Sequence, residues 1–251
     1  MRLIVFTDLD GTLLDHHSYS WAAAQPALQA LRDREIPLVI VTSKTRFEVE
    51  ALRRALDNRA PYVVENGAAV FWEGGRHVLG SRREEAIAAL RQSAEECDAR
   101  VRGFELMTLE EIVQRTGLPE EIAELAAQRE FGEPFVMLDG QPGRLAGALE
   151  RRGFRMKQGG RFFHVSGPWD KATAVRWLLE QNRPDRSLAL GDAPNDAAML
   201  TATDDAVIVR GKHVDQMLAL LPGTRVTEQE GPAGWNASVL EWLREHSTHQ
   251  D

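Results

Sequence analysis

A short apolar run near the start of the chain ends directly in two aspartates. Residues 3–6 are apolar, which predicts a buried strand, and Gly11 marks the loop where that strand stops. Because alternate side chains of a strand point to the same side, Asp8 and Asp10 emerge together at its carboxyl end. Two like charges held this close require a cation between them, or a proton on one of them.

Composition limits what the rest of the chain can be. With 251 residues, of which 43% are hydrophobic, the chain is long enough for one large domain or two small ones. A net charge of −8 argues against nucleic-acid and acidic-membrane partners, although a small anionic substrate is still compatible with a locally positive site. The single Cys97 excludes an internal disulfide, and neither a signal peptide nor a membrane-spanning run is present in the sequence. We therefore expect a cytoplasmic protein, and the sequence fixes no oligomeric state.

Strand and helix patterns alternate along both ends of the chain, as is typical of a parallel α/β sheet. We predict an α/β fold with a Rossmann-like, doubly wound parallel sheet as its core. The predicted core elements are a helix over 22–35, a strand over 36–41, a helix over 46–56, a strand over 62–64, a hairpin over 68–79, a helix over 171–181 and a strand over 187–190.

The pattern changes between residues 81 and 166, where helices come in succession before further strands. Thr108 and Glu111 form a capping-box pattern at the start of one of these helices. The predicted elements are helices over 82–100, 108–115, 119–130 and 142–152, and strands over 135–138, 154–158 and 161–165. We predict an inserted α+β cap domain over residues 81–166, and a core domain made of residues 1–80 and 167–251.

Each predicted core strand ends in polar residues, and the carboxyl ends of parallel strands line the ligand crevice of such sheets. Asp192, with Asn195 and Asp196 in the next turn, adds oxygen donors of the kind that Mg²⁺ prefers. Lys171, at the start of a helix, brings a positive charge to the same place. The residues predicted to meet at this edge are Asp8, Asp10, Ser43, Asn66 and Asp192.

This set of groups suits phosphoryl transfer. A carboxylate attacks phosphorus while Mg²⁺ reduces the repulsion between the two, and Lys171 and the Ser43 hydroxyl hold the phosphate oxygens. Asp10 protonates the leaving alcohol and later takes a proton from the water that hydrolyses the aspartyl phosphate. An Asp-x-Asp pair alone is often only a turn, and Lys171 alone is more often a surface lysine.

The order and spacing of these motifs resemble the haloacid dehalogenase superfamily of phosphatases over the whole chain. The motifs that carry the resemblance are Asp8-Leu9-Asp10-Gly11-Thr12-Leu13, Ser43, Lys171 and Gly191-Asp192-x-x-Asn195-Asp196. The resemblance implies that Asp8 is the nucleophile and Asp10 the acid/base. It also implies a Mg²⁺ ion bound by Asp8, the backbone carbonyl of Asp10 and Asp192, with Asn195 and Asp196 in support.

A narrower set of motifs looks like the mannosyl-3-phosphoglycerate phosphatase branch, which implies a small sugar phosphate as substrate. These motifs are Asp15-x-His17-Ser18-Tyr19-x-Trp21, Ser43-Lys44-Thr45, Glu65-Asn66-Gly67, Gln158-Gly159-x-Arg161-Phe162-x-His164-Val165 and Glu230-Gly231-Pro232-x-Gly234-Trp235. A glucosyl analogue and a hexose phosphate are the alternative substrates. Relatives in the wider branch have Thr-Gly-Arg where this chain has Ser43-Lys44-Thr45, so Thr42 is the alternative phosphate-binding hydroxyl.

The implied substrate carries a carboxylate and several hydroxyls besides its phosphate. Arg161 suits the carboxylate and Lys44 either anionic group, although Arg161 is equally compatible with a strand surface and His164 with core packing. The residues predicted to meet sugar hydroxyls are Gln158, His164, Glu65 and Asn66.

Two other classes of protein fit part of the pattern. A phosphomutase shares the two-aspartate motif but returns the phosphoryl group to the sugar, so release of free phosphate separates it from a hydrolase. A sugar-phosphate binding protein without catalysis is disfavoured by the intact Asp8, Asp10, Lys171 and Asp192.

Overall fold

The computed structural model describes residues 1–159 and 162–246, which form two β-sheets and their flanking helices. The strands in this part of the chain are β1 Leu3–Thr7, β2 Leu38–Val41, β3 Tyr62–Val64, β4 Ala69–Trp72, β5 Gly75–Val78, β6 Arg100–Gly103, β7 Glu133–Asp139, β8 Arg155–Gly159, β9 Phe162–Ser166, β10 Arg186–Gly191, β11 Asp205–Arg210 and β12 Arg225–Glu230. The α-helices are α1 Gln25–Asp33, α2 Arg46–Ala55, α3 Arg83–Glu96, α4 Leu109–Thr116, α5 Glu120–Ala127, α6 Pro142–Arg151, α7 Lys171–Asn182, α8 Ala197–Leu200, α9 Val214–Leu220 and α10 Gly231–Glu245.

The larger sheet has the strand order β12-β11-β10-β1-β2-β3-β4-β5. Its first six strands pair in parallel, and the β3–β4 and β4–β5 pairs are antiparallel. Both faces of β1 are buried, with Val5 packed in one apolar cluster and Phe6 in another. Helices α1 and α10 contribute to the first cluster and α7 to the second, so the sheet is covered on both sides. The prediction of a doubly wound α/β fold is confirmed.

The smaller sheet is antiparallel, with the order β6-β7-β9-β8. Leu90 of α3 and Leu149 of α6 pack with Phe135 and Val165 of the sheet. Residues of α4 and α5 form a second cluster with Phe162. The sequence between β5 and α7 therefore supplies a separate sheet with its own apolar contacts.

Several predicted boundaries move for local reasons. The helix predicted over 82–100 ends at Glu96, and Asp98 adopts a left-handed φ of 51°, after which β6 begins. The strand predicted over 36–41 begins at Leu38, directly after a proline, which has no N–H to give to a neighbouring strand. The capping box of Thr108 and Glu111 is present. Strands β11 and β12 extend the sheet beyond the predicted ones.

The candidate site residues stand where parallel strands end. Asp8 follows β1, Thr42 and Ser43 follow β2, Glu65 follows β3, and Asp192 follows β10. Because these strands are neighbours in the sheet, their ends meet at one edge. Among the helices that the structure describes, none is long and apolar enough to cross a membrane.

Candidate active site

Asp8 and Lys171 form a buried ion pair at the carboxyl edge of the larger sheet. The Asp8 backbone N–H donates to the Leu190 carbonyl at 3.0 Å, which continues the ladder between β1 and β10. Lys171 is the first residue of α7, and its Nζ lies 2.6 Å from Asp8 Oδ1. The Lys171 side chain is fully buried, so it is a part of the site and not a surface lysine.

Asp196 is the second carboxylate that contacts Lys171. Its Oδ1 lies 2.6 Å from Lys171 Nζ. Its Oδ2 accepts the backbone N–H groups of Asp192 and Ala193 at 3.1 and 3.0 Å. Asp196 therefore fixes the loop that carries Asp192 and orients the lysine that reaches Asp8.

Asp192 faces the same cluster from the other side. The Thr12 hydroxyl donates to Asp192 Oδ1 at 2.9 Å. Burial and the neighbouring Asp196 raise the pKa of Asp192 to about 6. Burial, with the charges of Asp196 and Asp192, likewise raises the pKa of Asp8 well above its usual range, against the opposing effect of Lys171.

The charge of this cluster fits a divalent cation. Asp8, Asp192 and Asp196 each offer a carboxylate oxygen within 4.8 Å of the others, and all three are buried. Three carboxylates and one ammonium leave two negative charges when all are ionised. Burial alone would lower the pKa of Lys171, but the two carboxylates raise it above its usual range, so the lysine stays charged. Hard oxygen donors at this density are those that Mg²⁺ binds.

Asp10 has a separate cation. Its Oδ2 lies 3.0 Å from Lys44 Nζ, which is also 3.7 Å from Glu48 Oε1. Although burial alone would lower it, these carboxylates raise the pKa of Lys44 to about 12. Asp10 Oδ1 is buried and has no hydrogen-bond partner among the described residues. The side chain of Asp10 is thus paired through one oxygen with Lys44, while its other oxygen has no hydrogen-bond partner among the described residues.

The two candidate hydroxyls after β2 are in different environments. Thr42 is buried, and its Oγ1 accepts the Lys44 backbone N–H at 3.2 Å. Ser43 is more exposed, and its carbonyl accepts Nη2 of Arg129 at 3.2 Å. Because Thr42 Oγ1 only accepts in this contact, its O–H can still donate, and both hydroxyls stay candidates for the phosphate.

The residues predicted to bind the sugar are only partly brought together. Asn66 Oδ1 accepts Nδ2 of Asn195 at 3.1 Å, which joins the end of β3 to the Asp192 loop. Glu65 is buried and accepts backbone N–H groups from the segment before β7, so its carboxylate is engaged within the protein. Gln158 is exposed on β8, and Arg161 lies outside the described residues.

His164 on β9 is largely buried beside a cation that the sequence did not reveal. Burial and the neighbouring charge of Arg129 lower the pKa of His164 to about 3. The Arg129 side chain also lies beside Glu65 and Ser43. An arginine in the segment between α5 and β7 has no strand end or glycine motif beside it, so no local signal marks it.

Two residues near the start of the chain also belong to the site. Thr12, which holds Asp192, lies two positions after Asp10, and a hydroxyl there is the signal that marks it. Tyr19 is half exposed, and Lys44 Nζ stands 5.4 Å from the centre of its ring. Tyr19 adopts a left-handed φ of 55°, which is costly for an aromatic residue and is typical of functional loops.

Comparisons with known proteins agree with this chemistry. A family described as haloacid dehalogenase-like hydrolase matches residues 5–114. A glucosyl-3-phosphoglycerate/mannosyl-3-phosphoglycerate phosphatase of Persephonella marina is 38% identical over 263 aligned residues, which cover 97% of this chain and 98% of that protein. A protein of the same name from Methanococcoides burtonii is 33% identical over 268 residues, with the same coverage.

Solved structures show the same fold at lower sequence identity. A HAD-superfamily phosphatase of Bacteroides thetaiotaomicron superposes with a TM-score of 0.73 at 20% identity, covering 98% of this chain and 95% of that one. A HAD subclass IIB sugar phosphatase superposes with a TM-score of 0.68 at 15% identity, covering 97% and 98%.

Proposed function

Because this chain belongs to the haloacid dehalogenase-like hydrolases and is a phosphatase of that family, we propose that it releases phosphate from mannosyl- and glucosyl-3-phosphoglycerate. The similarity to two curated relatives named for both substrates, over nearly the full chain, carries this proposal. The products are orthophosphate and a glycosylglycerate, and we propose compatible-solute synthesis as the role of the reaction.

The first half of the reaction uses the buried ion pair. An oxygen of Asp8 attacks phosphorus, and the bond from phosphorus to the glycerate oxygen breaks. Lys171 and the Ser43 hydroxyl hold the phosphate oxygens, while Asp10 gives its proton to the departing alcohol. The contact of 2.6 Å between Lys171 and Asp8 supports this assignment, because it places the positive charge beside the attacking oxygen.

The second half regenerates the carboxylate. Asp10 takes a proton from a water molecule, whose oxygen attacks the phosphorus of the aspartyl phosphate and releases orthophosphate with free Asp8. When bound, Mg²⁺ would be held by Asp8, Asp192 and the backbone carbonyl of Asp10, with Asn195 and Asp196 in support, and would neutralise charge between the phosphate and the carboxylates. The crowding of the three buried carboxylates supports this metal assignment.

We assign recognition of the substrate to the smaller sheet. In this proposal residues 1–80 and 167–251 are the core domain, and residues 81–166 are a cap domain that covers the substrate and excludes water. Arg161 and Lys44 are proposed for the anionic groups, and Asn66, Gln158 and His164 for hydroxyls. Glu65, predicted for the same task, is left out because its carboxylate already accepts backbone N–H groups of the protein.

Phosphate release from a panel of purified compounds tests the proposal. The panel contains mannosyl-3-phosphoglycerate, glucosyl-3-phosphoglycerate and several hexose phosphates, each assayed with Mg²⁺ and with excess EDTA. We expect stoichiometric phosphate from both glycosyl-3-phosphoglycerates, with no activating bisphosphate, and loss of the activity in EDTA that Mg²⁺ restores. Preference for hexose phosphates, or a need for a bisphosphate, would contradict the proposal.

A matched pair of variants separates catalysis from nonspecific effects of charge. Asp8→Asn removes the proposed nucleophile and should lower phosphate release at least ~10³-fold. Asp215→Asn makes the same change at an exposed position on α9 and should leave the rate within about twofold. Full activity of Asp8→Asn would exclude the aspartyl-phosphate mechanism.

A further inference from the structure

The loop after β3 has an unusual backbone. Glu65, Asn66 and Gly67 have φ values of 47°, 59° and 99°, so three consecutive residues occupy the left-handed region. This conformation is unfavourable for the first two, which carry side chains, and it persists only where the surroundings demand it. The contacts of residues 65–67 explain why the loop keeps this conformation.

Gly67 lets the loop pack against the start of α7. A Cβ atom at this position would lie 1.9 Å from the carbonyl oxygen of Asp170, the residue that precedes Lys171. Asp170 is also the N-cap of α7, whose first residue is Lys171. The loop therefore packs against Asp170, the residue directly before the proposed catalytic lysine.

The same loop holds the backbone of residues 42–44, the proposed phosphate-binding turn. The Glu65 N–H donates to the Lys44 carbonyl at 3.0 Å, and the Asn66 N–H donates to the Thr42 carbonyl at 2.9 Å. The Asn66 side chain reaches the Asp192 loop through Asn195. Three parts of the catalytic edge thus meet at these three residues.

The Glu65 carboxylate faces the smaller sheet. It accepts the backbone N–H groups of Glu130, Phe131 and Gly132 at 2.7, 3.3 and 3.0 Å. Arg129 adds an ion pair, with Nε 3.2 Å from Glu65 Oε2. Glu65 is 3% exposed, so these three N–H donors and the Arg129 guanidinium take the place of water around its carboxylate.

Arg129 also contacts the phosphate-binding turn directly. Its Nη2 donates to the carbonyl of Ser43, the residue proposed to hold phosphate. One side of the Glu65–Arg129 pair therefore touches the phosphate-binding turn, and the other side is the chain segment that enters β7. A sugar hydroxyl would have to displace at least one of these donors to reach Glu65.

We infer that Glu65 is a positioning residue that couples closure of residues 81–166 over the substrate to the arrangement of the phosphate-binding turn. This inference rests on the proposed function for its substrate and deepens it. Movement of the smaller sheet away from the larger one separates the Glu65 carboxylate from its three N–H donors and from the Arg129 guanidinium together. Acetyl phosphate, a small acyl phosphate that needs no cover, does not depend on this contact.

Hydrogen exchange and two substrates test the inference together. In Glu65→Gln and Glu65→Ala we expect exchange of the amides of residues 130–132 to accelerate at least tenfold. The kcat/KM for glucosyl-3-phosphoglycerate should fall at least tenfold, whereas hydrolysis of acetyl phosphate should change less than threefold. Glu65→Gln should be the milder variant, since it keeps one acceptor oxygen.

A fallback variant and a matched control complete the test. Arg129→Gln removes the ion pair but leaves the Glu65 backbone contacts, so it should show the same selective loss if the Glu65 variants fold poorly. Arg76→Ala removes an exposed ion pair to Glu130 at 3.6 Å and should match the wild type in both measurements.

The contrary results are distinct. Unchanged exchange with a selective loss on the sugar substrate would make Glu65 a sugar ligand, and equal losses on both substrates would make it part of the chemistry. Either result overturns the inference. If the wild type hydrolyses acetyl phosphate but no glycosyl-3-phosphoglycerate, the proposed function fails, while the exchange measurement still decides the role of Glu65.

Discussion

At the scale of single residues, Asp8 and Asp10 differ in their cationic partners. Asp8 shares Lys171 with Asp196, whereas Asp10 is paired with Lys44. Asp8 and Asp10 therefore contact different lysines. This separation suits two different tasks, attack on phosphorus by Asp8 and proton transfer by Asp10.

His164 shows a second consequence of burial at this scale. With a folded-state pKa of about 3 and an unfolded-state pKa near 6.5, it stays neutral in the folded protein at pH 5, while the unfolded chain takes up a proton. The folded state therefore loses stability as the pH falls below about 6.5, and the loss continues towards pH 3.

We predict that this single side chain accounts for up to about 2 kcal/mol of the stability lost between pH 7.5 and pH 5. Over this interval the free energy of unfolding of His164→Gln should fall by that much less than the free energy of unfolding of the wild type. Urea unfolding at both pH values measures the difference. His17→Gln, at an exposed loop position, serves as the control and should follow the wild type. Equal pH dependence of His164→Gln and the wild type would show that His164 is solvated.

The convergence of Asp8, Lys171 and Asp192 could be predicted from the sequence because each stands at the end of a strand or the start of a helix. The topology of a parallel sheet then brings such positions to one edge. The contact of Glu65 with residues 129–132 could not be predicted, because it joins segments that no local pattern relates. The charge partner of Asp10 was also hidden, since Lys44 was assigned to the substrate.

Elements of the fold differ in how clearly their sequence marks them. Strands β1, β2 and β10 are apolar on both faces and are found from the sequence as continuous runs. Strand β6 has only four residues, two of them arginine, and lies at an edge of its sheet, so its polar sequence resembles a loop. Helix α7 is set by its cap, because Asp170 accepts the Thr173 N–H at 2.9 Å.

Two helix caps offer a matched prediction. Asp170→Ala and Thr108→Ala each remove an N-cap side chain, from α7 and α4 respectively, and each should cost about 1 kcal/mol of unfolding free energy. Only Asp170→Ala should also lower kcat/KM for acetyl phosphate, by about fivefold or more, because Lys171 is the first residue of α7.

Urea unfolding of both variants gives the change in unfolding free energy, and a phosphate-release assay gives kcat/KM. The Thr108→Ala rate should stay within about twofold of the wild type, since α4 packs in the smaller sheet's own cluster. A normal rate in Asp170→Ala would mean that the cap does not set the position of Lys171. An equal loss of rate in both variants would indicate general destabilisation.

At the scale of the whole molecule, the chain passes between the two sheets twice, and both passages contact one buried indole. A Cβ at Gly80 would lie 3.0 Å from the ring of Trp169, and a Cβ at Gly167 would lie 1.8 Å from it. Trp169 is 5% exposed and stands two residues before Lys171. The passage back from the smaller sheet therefore leads directly into α7, whose first residue is Lys171.

The excess of negative charge at the site makes a final prediction about the stability of the whole chain. A cation that binds only the folded state stabilises it by about 2.7 kcal/mol at a concentration of 100 Kd. For a chain of 251 residues this corresponds to a rise in Tm of roughly 5–10 °C. Calorimetry with Mg²⁺, compared with NaCl at equal ionic strength, separates binding from screening of the net charge of −8.

Variants assign that rise in Tm to the cluster. Asp192→Asn removes one of the three crowded carboxylates and should abolish most of the Mg²⁺-dependent rise, whatever it does to the Tm of the metal-free protein. Asp215→Asn changes the net charge equally at an exposed site and should keep the full rise. If NaCl produced the same rise, or if Asp192→Asn kept it, the rise would not come from Mg²⁺ bound at Asp8, Asp192 and Asp196.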